Sequence, residues 1–144
     1  AGVVATDPAQ DLATRLDVLY RGLRAVLERH RPSAAAVEET VVNVNADSSL
    51  KLGHARGVVL LAAAHAGLAV TEYASKTVKR AVVGTGAAEK RQVAMMVRVL
   101  LPVSGALSAD AADALAVAIC HAHHHAAATR LSAALAPSAP GVAG

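Results

Sequence analysis

At 144 residues the chain is long enough for one domain with its own core, and 54% of it is hydrophobic although Phe and Trp are absent and only two Tyr occur. Such a core is built from Ala, Val and Leu, and because each Ala buries little apolar area the expected stability is modest. The net charge of +3 favours an anionic partner, the lone Cys120 excludes an internal disulfide and fits a reducing cytoplasm, and no uncharged run reaches the roughly 20 apolar residues of a membrane span.

Taken in order, Gly2 to Thr6 is a short apolar run suited to a strand. Asp7, Pro8 and Gln10 read as the start of a helix, with Asp7 as N-cap and Pro8 in the first helical position. Leu12, Leu16, Leu19, Leu23, Val26 and Leu27 then recur at helical spacing, with Arg15, Arg21, Arg24 and Glu28 on a solvated face, to about His30. Pro32 ends the helix. No basic segment precedes an apolar one at the start, so no signal peptide is expected, and an opening Ala in place of Met reads as a fragment.

Ala34 to Glu38 is the central stretch: small apolar residues that form a buried strand and deliver a carboxylate at its C-terminal end. In an open α/β sheet ligands bind at that edge, so Glu38 is a candidate for metal or proton chemistry; a strand running out into a solvated acidic loop is the alternative. A helix from Asp47 or Ser48 to Gly67 follows, whose Gly53, Ala55 and Gly57 leave one side smooth for close approach by another backbone or for packing on the sheet. Ala69 to Tyr73 is the next strand, parallel to the first through a βαβ crossover.

Ser75 caps a short helix that stops at Gly84, and a second helix carries Val93, Met96, Val97 and Leu100 inward. The intervening GTGAAEK is not a phosphate loop, because it lacks a glycine immediately before Lys90 and a Ser or Thr after it. Ser108 caps the last helix, which extends to about Leu135 and holds Asp110 and Asp113 on one face of its first turns, as metal ligands or simply as partners of the helix dipole. His121, His123, His124 and His125 lie further along it. His121 and His125 have the spacing to share zinc, but no third ligand or general-base Glu accompanies them, so exposed helix histidines are the better reading. Residues 136–144 should be a disordered tail.

Charge is unevenly placed. Between Lys51 and Arg98 there are eight Lys or Arg against only Glu72 and Glu89, whereas the first fifty residues hold five Arg against seven acids. A basic middle is either a solvated helix face or a surface for a polyanion.

Glu38 with the following NADSSLKLGHARGV, then EYASKTVKRAVVGTGAAEKRQV and ADAADALAVAICHAH, resembles in collinear order the RuvC family of Holliday-junction resolvases. The resemblance implies an α/β, ribonuclease-H-like mixed sheet flanked by helices, here N-terminally truncated and forming one domain over residues 1–135. It implies a Mg²⁺-dependent endodeoxyribonuclease with two ions per site, held by Glu38, Asp110 and Asp113. Glu39 matches no ligand. A fourth acid belongs on a first strand that these residues do not contain. Lys79 and Lys90 correspond to lysines that contact DNA phosphates near the cut, and Val41 stands where many members carry a Phe, which can stack on a base as an aliphatic side chain cannot.

The implied activity is symmetric resolution of four-way junction DNA in recombination and repair, by a cytoplasmic homodimer that works beside a branch-migration helicase complex. The sheet order implied is 3-2-1-4-5, with Gly2 to Thr6 as strand 3, Ala34 to Glu38 as strand 4 and Ala69 to Tyr73 as strand 5, so strands 1 and 2 are expected to be missing and the chain to be inactive and aggregation-prone on its own. A non-catalytic DNA-binding remnant is the rival reading. A basic α/β interaction domain is the third.

Overall fold

The computed structural model describes residues 1–39, 46–102 and 106–135. Val41 and the tail 136–144 lie outside the described residues. The elements, in chain order, are α1 (Leu12–His30), β1 (Ala34–Glu38), α2 (Ala46–His65), β2 (Ala69–Tyr73), α3 (Ser75–Val83), α4 (Lys90–Leu100) and α5 (Ala109–Leu135).

The first helix starts later than its sequence suggests. Asp11, not Asp7, is the N-cap, with its carboxylate accepting from the Thr14 amide at 3.0 Å and the Thr14 hydroxyl at 2.6 Å. Asp7 instead closes a turn, accepting from the Ala9 amide at 2.9 Å while its carbonyl accepts from Gln10. A Pro after an Asp suits the second position of such a turn as well as a first helical residue, and two capping residues compete for one helix. The hydrogen bond from the Thr14 hydroxyl, then that from its amide, holds the Asp11 carboxyl below its ordinary value of 3.8. A depressed acid stabilises the fold above its unfolded pKa and loses that contribution as the pH falls through the folded one. Asp11→Ala is therefore expected to lower the unfolding temperature at neutral pH, by a difference that shrinks below pH 3.8, as thermal scans at several pH values would show.

Gly2 to Thr6 forms no strand. A strand needs a ladder partner for its amides and carbonyls, and among the described residues no strand pairs with this segment. It lies along α1 instead: Val4 fills the space over Gly22, where an added Cβ would come within 2.6 Å of it, and Thr6 Oγ1 accepts from Arg15 Nε at 3.4 Å. Arg15 is thus tied down, while Arg21 and Arg24 pair with Asp17 and Glu28 one turn away.

β1 and β2 pair in parallel through the α2 crossover, with Ala34 opposite Ala69 and Glu38 opposite Tyr73. Among the described residues this is a two-stranded sheet, and the outer edge of β1 has no partner. Strand alternation puts Ala36 and Glu38 on one face with Tyr73, and Val37 with Glu72 on the other. α5 packs on β1 over the first face. On the second, Arg56 of α2 pairs with Glu72.

The core lies between the sheet and α3, α4 and α5, where Tyr73, Val78, Val82, Val93, Val97, Val117, Ile119 and Cys120 are buried together. Burying each such aliphatic side chain contributes about 1.5–3 kcal/mol, so valines carry what aromatics would carry elsewhere. Burial also pushes the Cys120 thiol up, in keeping with an inert core residue. Met96 packs at the core margin, but Leu100, the last residue of α4, is 43% exposed, because the chain leaves the helix at Leu101 before another turn can cover it. α1 buries no residue fully. Gly53 and Gly57 do not face the sheet: a Cβ at either would meet nothing within 4 Å.

Candidate nuclease site

Glu38 ends β1 on the face that α5 covers, so the alternation of a strand, not its acidity, separates it from Glu39. The α5 helix is started by Ser108, whose Oγ accepts from the Ala111 amide at 3.2 Å as the sequence suggests. That cap sets the phase of the helix, and Asp113 comes to rest half-buried against the strand end. Lys79 arrives from α3 and Lys90 from the first residue of α4, whose start is held by a capping box between Glu89 and Gln92.

These side chains meet in one cleft of ≈ 60 Å³ lined by Glu38, Ser75, Lys79, Lys90 and Asp113, over a floor of Val78, Val93 and Ala116. Lys90 Nζ lies 3.6 Å from Asp113 Oδ2. Two carboxylates from different elements thus face two ammonium groups on a packed apolar base. Asp110 is exposed one turn earlier on α5 and does not line the cleft.

The carboxylate oxygens of Glu38 and Asp113 are the donor type that a hard divalent cation prefers. Among the described residues, no three His, Cys, Asp or Glu stand close enough to hold a metal by themselves. Glu38 and Asp113 share the cleft, and Asp110 is adjacent to it on the same helix.

Ser75 is a lining residue that sequence reasoning cast differently. It is the first residue of α3 and not its cap; the cap is Ala74, which makes no side-chain hydrogen bond. The helix follows directly on an extended Ala74, and Ser75, as its first residue, lines the cleft with Glu38.

The histidines divide. His123, His124 and His125 are exposed as expected, but His121 is half-buried, with its Nδ1 3.0 Å from the Tyr73 hydroxyl. Burial, and secondarily Cys120, raises the Tyr73 phenol. A roomier hollow of ≈ 520 Å³ between α1 and α2, lined by Tyr20, Arg24, Glu28, Arg31 and His65 among others, shares no residue with the cleft. Its one carboxylate, Glu28, is already paired with Arg24.

The sequence model of the family described as "Crossover junction endodeoxyribonuclease RuvC" matches residues 1–121. A relative of that name from Acidiphilium cryptum is 65% identical over 133 residues, covering 92% of this chain and 80% of the relative. The counterpart from Gluconacetobacter diazotrophicus is 60% identical over 132 residues, with 92% and 79% covered. In three dimensions the chain is similar to "T. thermophilus RuvC in complex with Holliday junction substrate", with a TM-score of 0.82 and 38% identity over 89% of this chain and 78% of that one.

Proposed function

The chain belongs to the RuvC family of crossover junction endodeoxyribonucleases, and from that premise we propose that it resolves Holliday junctions by hydrolysing phosphodiester bonds in the cleft between β1, α3, α4 and α5. The fold is the ribonuclease-H-like α/β arrangement of that family. The observation that carries the reading is the meeting of Glu38 and Asp113 with Lys79 and Lys90 in one cleft, since these residues come from four elements that only the fold unites.

Glu38 and Asp113, with Asp110 beside them, would hold Mg²⁺, two ions per site. Bound there, such ions neutralise the charge that builds on the reacting phosphate. The chain's own part is to place the phosphate. Lys79 and Lys90 reach it from α3 and α4, and Lys90 exchanges its contact with Asp113 for one with DNA. The apolar floor of Val78, Val93 and Ala116 excludes water beneath the site, which strengthens each of these attractions.

Lys79→Ala and Lys90→Ala are each expected to weaken junction binding and to flatten its dependence on salt by about one phosphate contact. Fluorescence anisotropy with a synthetic four-way junction, across a salt series, measures both. Unchanged slopes in both variants would return these lysines to a solvated face.

Symmetric cutting calls for a homodimer, and α2 offers the surface. Leu50 and Leu61, 61% and 49% exposed, flank Gly53 and Gly57, one helical stripe that no described residue covers. Gly57→Arg is expected to yield a folded monomer in sedimentation equilibrium, because the added side chain meets open space within the chain. A dimer that persists would move the interface elsewhere. In the cell the dimer would act in the cytoplasm, in recombination and repair, together with a branch-migration helicase.

A further inference from the structure

We propose that the groove between α3 and α5, lined by Thr77, Arg80, Ala81, His123, His124 and Ala127, is a second phosphate-binding site that holds the backbone of a junction arm beyond the cut. This rests on the nuclease reading and extends its DNA path to a surface which that reading does not use.

The groove has a volume of ≈ 330 Å³ and no carboxylate lines it. Its polar groups are a guanidinium, two imidazoles and a hydroxyl; Arg and Thr are among the side chains that commonly donate to phosphate oxygens, and an imidazole N–H can donate as well. Arg80 is the strongest of them, because its planar fork matches two phosphate oxygens at once. Among the described residues Arg80 has no ion pair, in contrast to Arg21 and Arg24, whose charges Asp17 and Glu28 already answer. The imidazole of His124 is not loose. It lies against the buried Tyr73 ring, with centroids 5.3 Å apart and planes inclined by 34°. The neighbouring His121 is held by the Tyr73 hydroxyl, so β2 supports this stretch of α5 from beneath.

Placement connects the groove with the cleft. Lys79 lines the carboxylate cleft and the next residue, Arg80, lines the groove, so α3 presents consecutive cations to two different sides. α5 does likewise, with Asp113 and Ala116 at the cleft and His123, His124 and Ala127 at the groove. At about 3.6 residues per turn neighbouring side chains leave a helix about 100° apart, so a strand bound at Lys79 that continues around α3 meets Arg80 next. Phosphate contacts position a duplex without reading its bases, so this site aligns an arm and leaves sequence preference to the cleft.

The test is binding of the chain to a labelled four-way junction, and to a linear duplex of one arm's sequence, over a salt series. The variants are Arg80→Glu, His123→Gln with His124→Gln, and Arg98→Glu as an equal change of charge on an exposed α4 residue outside the groove. Arg80→Glu is expected to weaken binding to both DNAs by about tenfold and to flatten the salt slope by at least about one contact, with a smaller loss for the histidine pair. Arg98→Glu should change affinity by less than about twofold, and thermal unfolding should match the unsubstituted chain in every case. Equal effects of Arg80→Glu and Arg98→Glu would overturn the proposal and leave the nuclease reading intact. Weakened duplex binding by Arg80→Glu in a chain that shows no preference for junctions would do the reverse.

Discussion

Asp113→Asn is expected to reduce junction cleavage by at least about a hundredfold while junction binding stays level or tightens slightly. The substitution keeps the shape of a half-buried side chain on the cleft wall but removes its charge, and with it a ligand for a hard cation. Each factor of ten in rate is about 1.4 kcal/mol of barrier, so the several kcal/mol of charge stabilisation that metal ligation supplies corresponds to two or more such steps. Binding responds differently. Phosphate is drawn by Lys79 and Lys90, and Asp113→Asn frees Lys90 from its partner 3.6 Å away, so attraction for DNA cannot fall on electrostatic grounds. Asp110→Asn should behave in the same direction. The measurement is single-turnover cleavage beside equilibrium binding, made in a version of the chain extended by N-terminal strands of the family's kind. Parallel loss of binding and cutting would assign these residues a structural role.

These 144 residues expressed alone should not cut junction DNA in Mg²⁺, whereas the extended version should cut and should unfold at a higher temperature. The reason lies at β1. Its outer edge has no partner among the described residues, and Glu38 at its end depends on that strand for its position. The strand is only half-buried, so its unpaired edge groups are left to water and to other chains, an open template for edge-to-edge association. A strand added along this edge would satisfy the backbone, and the fourth acid that the resemblance implies would bring a further carboxylate toward Glu38 and Asp113. Thermal unfolding and cleavage of the two versions side by side decide the matter. Cutting by the shorter chain would show that three acids suffice; failure of both would favour the non-catalytic DNA-binding reading.

Much of this was legible in the residues because it is local. The parallel pair Ala34–Glu38 and Ala69–Tyr73, the stop at Gly84 and the Ser108 cap follow from short-range rules of periodicity, left-handed backbone and capping, which act within one or two turns of chain. Strand alternation alone separates Glu38 from Glu39. The choice between Asp7 and Asp11 was not decidable locally, since both can cap and Pro8 suits either outcome.

What the tertiary structure alone decided is every relation between distant elements. Gly2 to Thr6 has strand-like composition, yet composition cannot supply the partner that a ladder requires, and the segment lies on Gly22 instead. Gly53 and Gly57 make a smooth stripe in any reading, but only the packing of α2 on β2 through Arg56 and Glu72 turns that stripe away from the sheet. Lys90 opposes Asp113, and Arg80 joins His123 and His124, because α3, α4 and α5 close on one valine core. Sequence by itself determined which carboxylates, lysines and imidazoles the chain carries and the phase of the helices that hold them. Their convergence required the burial of side chains far apart in the chain, and burial is a property of the whole fold.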